Sequence, residues 1–395
     1  MAVADTGRLR TTQPDYLLLG LVVGLVAVGL LIVYSSSFAL GLLAFNDANY
    51  FVIRQAIWAV IGLALLLVVM RVDYRWLRSI SPLLMLIAIV SLVAVLVPGL
   101  GVERGGAQRW IAIGPLPAVQ PSEFAKLALI IYVAAWLSGK DTVVRSFALG
   151  FAPFVFMVGI VAGLILLEPD TGTAAVLILT TVTLFFIAGA SLSHLAALMG
   201  IGSVAAGFLV LTSGYRLDRI LAFLNPDSDP SGVGFHTLQL LIGLGSGGIE
   251  GLGLGASRQK FFYIPGSHTD GVFAVVGEEL GFIGAMGVII LFAVLVYRGF
   301  RIVLHAQDDF GYLLAAGVVC WIAFQALINV GGITRAIPMT GIPMPFLSYG
   351  GSALASLLAG IGILLSVSRR ATGPPKTGRS QQKGGRAVIE QEGAR

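Results

Sequence analysis

The chain has 395 residues, of which 57% are hydrophobic and only 11% are charged, with a formal net charge of +5. Soluble domains carry about 25% charged residues, so this composition excludes an ordinary soluble protein. Long apolar runs recur along the chain and indicate a membrane protein. The single cysteine, Cys320, excludes an intrachain disulfide.

The two ends of the chain differ from its middle. Residues 1–14 are polar and predict a cytoplasmic N-terminal tail. The apolar run after them is too long for a signal-peptide core and no clear cleavage site follows it, so we expect a retained first transmembrane helix. Residues 371–395 are rich in Gly, Lys, Arg and Gln and predict a disordered basic tail. Residues 15–370 form the predicted membrane domain.

The apolar runs predict an all-α integral membrane protein of about ten transmembrane helices, because a spanning helix needs about 20 mostly apolar residues. The predicted spans are 16–37, 51–70, 79–98, 122–138, 147–167, 171–189, 192–212, 271–297, 311–333 and 346–368. The even number places both termini on one side. Lys and Arg are more frequent on that side, which the positive-inside rule makes cytoplasmic. We therefore expect a multi-pass protein of the cytoplasmic (inner) membrane with both termini cytoplasmic.

The longest connection, residues 213–270, joins the seventh and eighth predicted spans and is then extracytoplasmic. Residues 232–244 suggest a short amphipathic helix, and the glycine-rich stretch 243–255 suggests a turn. Long loops in compact proteins are usually functional or disordered. Irregular backbone beside a membrane fits the lining of a cavity better than free solvent.

Charged residues near the outer ends of the predicted spans require a structural or functional explanation, because placing a charge within the hydrocarbon costs about 3 kcal/mol or more. They form three acidic groups with nearby bases: Glu123 and Lys126; Glu168 and Asp170; Asp270, Glu278 and Glu279; with Arg104, Arg109, Arg216, Arg219 and Lys260 in the outer loops. Guanidinium and ammonium groups bind phosphate oxygens, and a carboxylate can accept a proton. The pattern predicts a site for an anionic, membrane-borne substrate.

Structural roles are open for the same residues. Glu123 and Lys126, at i and i+3, can form a purely structural ion pair. Glu278 and Glu279 can cap or pair within the bundle, and Arg216 and Arg219 can be interfacial anchors. The histidines show no zinc-ligand spacing. No aromatic-basic patch accompanies the basic tail, so we expect no nucleic-acid partner.

Several segments in order resemble the SEDS (shape, elongation, division, sporulation) peptidoglycan glycosyltransferases, over nearly the whole chain from Asp15 to Arg370. The matching segments are RWI at 109–111, QPSEFAK at 120–126, EPDTG at 168–172, QKFFYIPGSHTDGVFAVVGEELGFIG at 259–284, NVGG at 329–332 and PMPFLSYGGS at 343–352. The form of 257–263 looks more like the division and sporulation (FtsW-like) branch than the elongation (RodA-like) branch.

The resemblance implies an inverting polymerase of lipid II at the outer face of the membrane, acting in cell division or growth. Asp270 matches an aspartate essential for polymerisation and is the expected general base, with undecaprenyl pyrophosphate as the leaving group. The candidate substrate-binding residues are Arg109, Trp110, Glu123, Lys126, Asp170, Arg216, Lys260, His268, Thr269, Glu278, Ser348 and Tyr349. Expected partners are lipid II and undecaprenyl-linked glycan, a class B penicillin-binding protein and other divisome or elongasome membrane proteins. A divalent cation, Mg²⁺ or Mn²⁺, is a further expectation.

The chain departs from the family pattern at several positions. Many members have Glu at the position of Gly266 and Phe-Ile at 271–272, and Phe235 and His236 replace a commoner Tyr-Gln. Arg335 lies in a usually uncharged stretch, so its role is open.

Two other functions compete with a polymerase. A lipid II flippase or other transporter would need charges spread through the membrane midplane, whereas these charges cluster outside. A non-catalytic divisome scaffold gives no reason for Asp270, Glu123 and Lys126 to stay in costly positions.

Overall fold

The computed structural model describes residues 13–104, 107–112, 118–139, 141–225, 232–261, 264 and 266–370. Residues 1–12 of the predicted N-terminal tail and the whole predicted C-terminal tail, 371–395, lie outside the described residues. Both tails therefore stay predictions.

The described residues form a helical bundle with one small β-hairpin. The elements in chain order are α1 (Tyr16–Phe45), α2 (Tyr50–Arg71), α3 (Tyr74–Leu96), β1 (Gly101–Arg104), β2 (Ala107–Ile111), α4 (Pro121–Leu137), α5 (Asp141–Val144), a π-helical turn (Phe147–Phe151), α6 (Ala152–Leu167), α7 (Thr171–Ile187), α8 (Leu192–Leu211), α9 (Gly214–Leu224), α10 (Val233–Ser246), α11 (Val272–Leu304), α12 (Asp309–Ile333) and α13 (Gly351–Ser368). Strands β1 and β2 pair antiparallel.

Each of the ten predicted spans coincides with a helix. Among the described residues, eight helices are long and apolar enough to cross a membrane, and α4 and α7 are shorter, with 17 residues each. Large apolar side chains are exposed along these helices, as lipid-facing surfaces require. The chain is an all-α, multi-pass membrane protein.

Helix α13 lies at the centre of the bundle, where it packs against α2, α4 and α12. Nearly all of its residues are buried. It begins at Gly351, later than predicted, because residues 345–350 form a turn. A β-carbon at Gly351 would lie 2.0 Å from the Trp58 ring, so glycine lets α2 approach closely. Helix α8, in contrast, has no buried residue.

The segment 213–270 contains two helices rather than one open loop. The predicted amphipathic helix is confirmed as α10. Helix α9 and the β-hairpin were not predicted. Helix α9 has apolar residues on one side and charged residues such as Asp218 on the other, which is typical of a helix lying on a surface.

Helix α11 is broken at Gly281, where φ is +66° and ψ is −166°. The carbonyl groups of Glu278 and Glu279, freed by the break, accept hydrogen bonds from the amides of Leu252 and Gly253 at 3.0 Å. The amides of residues 282 and 283 donate to the carbonyls of residues 248 and 249 in return. We call this arrangement of residues 247–253 and 278–283 the glycine clasp. It fastens the end of α10 to α11 and fixes the position of Glu278 and Glu279.

Candidate active site around Asp270

Asp270 lies in the turn immediately before α11 and is partly buried. Its carbonyl oxygen accepts a hydrogen bond of 2.9 Å from the Asn329 side chain of α12, which also donates to the Ile342 carbonyl at 2.7 Å. One carboxylate oxygen, Oδ1, accepts from the Thr269 hydroxyl at 3.0 Å. The backbone of Asp270 is thus held by α12 and by the segment between α12 and α13.

Gly266 lies against the same carboxylate. Its φ is +67°, a conformation that L side chains rarely adopt, and a β-carbon there would lie 2.4 Å from Asp270 Oδ1. A side chain at this position would therefore displace Asp270. The departure of Gly266 from the family pattern thus occurs at a residue that directly shapes the surroundings of the candidate base.

Arg219 of α9 is the basic residue next to Asp270. A β-carbon on Gly341 would lie 3.6 Å from both Arg219 Nη2 and Asp270 Oδ2, so the two groups are no more than twice that distance apart. They are nevertheless not among the ion pairs of the described residues. From the sequence, Arg219 is equally an anchor or a ligand. Its i, i+3 spacing from Arg216 is the only local signal for a role.

Two histidines complete the surroundings of Asp270. Burial lowers the pKa of His268 to about 4, although the charge of Asp270 opposes this. The His268 ring lies 4.7 Å from Phe51 and 5.6 Å from Tyr349, centroid to centroid. Burial also lowers the pKa of His236, while Asp270 raises it and Arg219 lowers it. Both rings are therefore neutral at neutral pH. From the sequence, His236 is an ordinary loop histidine.

Glu123 and Lys126 form a buried ion pair within the bundle. Lys126 Nζ lies 3.0 Å from Glu123, and the two side chains are only 1% and 3% exposed. Lys126 also donates to Gln325 Oε1 at 3.2 Å, which accepts from Trp321 Nε1 at 2.9 Å. Gln325 in turn donates to the Pro343 carbonyl at 3.1 Å. The pair thus joins α4 to α12 and to the segment before α13.

Lys260 is similarly enclosed. Its Nζ lies 2.8 Å from Glu279 and also contacts the Ser35 hydroxyl at 3.3 Å and the Gly255 carbonyl at 2.7 Å. Ser35 donates to both oxygens of Glu279 at 2.7 Å. These contacts tie α1 and the loop before Asp270 to α11.

Glu278, beside this pair, accepts hydrogen bonds from the loop that precedes Lys260. The Ser257 hydroxyl donates to it at 2.5 Å and the Arg258 amide at 2.8 Å. Glu278 is 1% exposed. The predicted binding residue therefore shapes the loop from inside the bundle.

Arg109 and Asp170 meet at the connection between α6 and α7. Arg109 donates to the carbonyl oxygens of Glu168 and Pro169, at 3.0 and 2.5 Å. Asp170 caps α7 through the Thr173 amide and accepts from Gln120 Nε2 at 3.2 Å. Trp110 lies on β2 opposite Val102.

Glu168 is fully buried beside them. Burial, reinforced by the charge of Asp170 and opposed by Arg109, raises the pKa of Glu168 to about 8. In the described part of the chain, neither of its carboxylate oxygens accepts a hydrogen bond. A buried carboxyl without donors is more stable when protonated.

The remaining candidates differ in position. The Tyr349 amide donates to the His268 carbonyl at 2.7 Å, so Tyr349 lies beside the turn that contains Asp270. Ser348 Oγ accepts from the Met344 amide at 2.8 Å, within the segment before α13. Arg216 instead donates to the Leu209 carbonyl of α8 at 3.4 Å. The structure thus brings His268, Thr269 and Tyr349 to the turn that contains Asp270.

Arg335 caps the C-terminus of α9. Its guanidinium donates to the Phe223 carbonyl at 2.9 and 3.1 Å and to the Leu224 carbonyl at 3.3 Å. The last carbonyls of a helix have no partner within it, and a cation there is favourable. This contact accounts structurally for the extra charge in the segment after α12.

The described residues form no ready-made site for a divalent cation. Within the described ranges there is no group of three or more His, Cys, Asp or Glu side chains that could hold a metal ion. The expected Mg²⁺ or Mn²⁺ requirement therefore stays a prediction.

Comparison with known proteins gives consistent matches over nearly the whole chain. The FtsW/RodA/SpoVE family, described as cell cycle proteins, matches residues 16–373. Stage V sporulation protein E of Bacillus subtilis (strain 168) is 45% identical over 360 residues, which cover 91% of this chain and 98% of that protein. A probable peptidoglycan glycosyltransferase FtsW of Trichlorobacter lovleyi is 43% identical over 374 residues, covering 94% and 97%.

Solved structures resemble this chain in fold and in sequence. A chain from a peptidoglycan synthase complex that coordinates polymerization and crosslinking superposes with a TM-score of 0.75 at 30% identity, covering 91% of this chain and 99% of that one. The rod shape determining protein RodA of Thermus thermophilus gives a TM-score of 0.67 at 28% identity, covering 91% and 98%. The chain belongs to the FtsW/RodA/SpoVE family.

Proposed function

We propose that this protein is a peptidoglycan glycosyltransferase that polymerises lipid II into glycan strands. The proposal rests on Asp270. Asn329 holds its backbone carbonyl, and its side chain is partly exposed and forms no ion pair among the described residues. The similarity to the Trichlorobacter lovleyi relative, a probable peptidoglycan glycosyltransferase, supports the activity.

In this reaction the 4-hydroxyl of the N-acetylglucosamine of one lipid II attacks the anomeric carbon of the growing chain. Asp270 accepts the proton of that hydroxyl as the new C–O bond forms. The bond between the anomeric carbon and the diphosphate oxygen breaks, and undecaprenyl diphosphate leaves with the electron pair. Attack opposite to the leaving group inverts the anomeric centre and gives a β linkage.

One carboxylate is sufficient for this chemistry. An inverting glycosidase needs a second carboxyl group to protonate its leaving group, whereas a diphosphate leaves as a stable anion. The two histidines beside Asp270 are neutral because burial lowers their pKa. Neither histidine therefore acts as a cationic partner of Asp270, and the Asp270 carboxylate stays available to the substrate hydroxyl.

The membrane arrangement follows from the charge pattern. With both termini cytoplasmic by the positive-inside rule, the end of the bundle that carries Asp270 faces the outside of the cytoplasmic membrane. A class B penicillin-binding protein is the proposed partner, which would cross-link the strands made here. Support comes from the structural neighbour that was solved within a peptidoglycan synthase complex.

Polymerisation of lipid II by the full chain, co-purified with its penicillin-binding protein, tests the proposal. We expect Asp270→Asn to lower the rate by about 10²- to 10⁴-fold, the usual contribution of a general base. Asp218→Asn, which changes an exposed carboxylate on α9, is the matched control and should keep wild-type activity. Equal activity of wild type and Asp270→Asn would remove Asp270 from the chemistry. Transport of labelled lipid II without glycan formation would favour a transporter.

A further inference from the structure

We propose that Arg219 binds the diphosphate of the lipid-linked substrate beside Asp270, and that Arg335 is the positioning residue that holds α9 so that Arg219 reaches it. The inference rests on the proposed function, since that function supplies a diphosphate. It assigns to these two arginines the charge stabilisation that the leaving group needs.

Four other basic residues at this end of the bundle have partners within the protein. Lys126 and Lys260 are each in a buried ion pair with a side chain only 1% exposed. Arg109 donates to two backbone carbonyls, and Arg216 to the end of α8. Moving a buried lysine to a new anion would leave a buried carboxylate without its partner, which is strongly unfavourable. The two lysines are therefore poor sources of charge for a substrate.

Arg219 is placed differently. It is partly exposed. A β-carbon on Gly341 would lie 3.6 Å from Arg219 Nη2 and the same distance from Asp270 Oδ2. Among the described residues, the Met339 carbonyl accepts from Nη1 at 3.3 Å and the Tyr215 hydroxyl contacts Nη2. A guanidinium carries five N–H donors in a planar fork that matches phosphate oxygens. It can therefore keep these contacts and still bind an anion.

The separation between the two groups suits a reaction in which one group accepts a proton and the other binds the leaving diphosphate. An Arg–Asp pair in direct contact would neutralise both groups, but this pair is too far apart for an ion pair. The two groups are nevertheless close to each other, because both lie near the position that a β-carbon on Gly341 would take. The hydroxyl of the incoming lipid II can thus meet the base, while the diphosphate that leaves the growing chain meets the guanidinium.

Arg335 controls where Arg219 lies. Its three hydrogen bonds hold the Phe223 and Leu224 carbonyls at the end of α9, while Arg219 itself contacts Met339. Helix α9 is thus attached at two points to the segment between α12 and α13. In the same segment, the Ile342 carbonyl accepts a hydrogen bond from Asn329, which also donates to the Asp270 carbonyl. Helix α9 also contacts α10 and α8, and α8 has no buried residue of its own. Loss of Arg335 would release one of the two attachments.

Binding of undecaprenyl diphosphate to the full chain in detergent, with EDTA present, tests the assignment without requiring polymerisation. Arg219→Gln keeps a donor for Met339 but loses the charge, and should weaken binding about tenfold or more. Arg219→Lys should lose less, because it keeps the charge but not the fork. Arg335→Gln should weaken binding about threefold or more, and Arg335→Lys should restore part of it. Arg145→Ala, which removes one exposed charge beside α5, should stay within about twofold.

Kinetics on the same preparations separate positioning from a loss of folded protein. For Arg335→Gln we expect a higher KM for lipid II with a nearly unchanged kcat, whereas a merely unstable variant loses kcat and keeps KM.

Wild-type affinity for the diphosphate in Arg219→Gln would overturn the role of Arg219. Wild-type affinity and KM in Arg335→Gln would overturn that of Arg335. Wild-type protein that binds the diphosphate through Arg219 but makes no glycan would contradict the proposed function and leave this inference supported.

Discussion

Two groups of charged residues near Asp270 differ in how they are held. The first, which we call the supporting frame, comprises the Glu123–Lys126 pair and the Lys260–Glu279 pair with their neighbours Gln325 and Ser35. Every charge of the frame has an opposite charge within 3.0 Å and a side chain no more than 3% exposed. The second group consists of Asp270 and Arg219, which are partly exposed and form no ion pair with each other.

The difference shows that a charge near a membrane face does not by itself indicate a substrate contact. A buried pair is satisfied internally, and its partners hold together α1, α4, α11 and α12. A group that binds substrate must instead keep donors or acceptors accessible while its backbone is fixed. Asp270 meets both conditions, because Asn329 holds its carbonyl while its carboxylate stays partly exposed.

The largest expected effect comes from breaking the frame. Lys126→Met leaves the Glu123 carboxylate buried without a cation, and should lower the free energy of unfolding by about 3–5 kcal/mol. Asp270→Asn, in contrast, should change it by less than about 1 kcal/mol, as is usual for partly exposed positions. Unfolding of the full chain in detergent micelles, followed by tryptophan fluorescence, measures both values.

A double substitution tests whether the loss comes from the unpaired charge. Glu123→Gln combined with Lys126→Met removes both charges, so most of the lost stability should return. If Lys126→Met alone were as stable as wild type, this pair would not belong to a supporting frame.

Most of the fold could be predicted because its main signal is local. Each apolar run of about 20 residues encodes its own helix, and the amphipathic pattern of 232–244 sufficed for α10. The β-hairpin carries a weaker signal, since a short strand depends on what it packs against. The amphipathic pattern of residues 214–224 is present in the sequence, so α9 was predictable in principle. The break at Gly281 also escaped prediction, because it depends on a loop that supplies the missing hydrogen bonds.

The position of the candidate base could be predicted from the sequence, but the contacts of the basic residues could not. Asp270 could be located because its motif lies at the start of a span. That Lys260 is engaged by Ser35, far away in the chain, is a tertiary fact that no local pattern contains. The same holds for Arg219, which approaches Asp270 only because α9 is attached to residues 335–339.

A smaller effect is expected at the glycine clasp, which positions Glu278 and Glu279. Gly281→Ala places a β-carbon 2.4 Å from the Gly251 amide nitrogen at a φ of +66°. Strain of this kind costs about 1–3 kcal/mol, so the thermal midpoint should fall. Gly287→Ala in the same helix has nothing within 4 Å of its new β-carbon and should be neutral or slightly stabilising. Equal midpoints for the two variants would mean that the clasp does not contribute to the frame.

The smallest effect concerns Glu168, which is buried like a residue of the frame but lacks a hydrogen-bond donor among the described residues. Its pKa in the folded protein is raised to about 8 by burial, above the ordinary value of 4.5. The folded state therefore holds a proton that the unfolded state releases between these two values. Its stabilising contribution is complete below pH 4.5 and is lost as the pH rises through about 8.

Between pH 6.5 and 7.5 the free energy of unfolding should fall by about 1 kcal/mol through this group, since one unit corresponds to about 1.4 kcal/mol. Glu168→Gln replaces the neutral acid by an amide of the same size and should flatten that part of the profile. Thermal midpoints of wild type and Glu168→Gln, measured in one buffer series from pH 5 to 9, give the comparison. Parallel profiles would show that Glu168 is ionised in the folded protein, with donors supplied by water or by residues outside the described ranges.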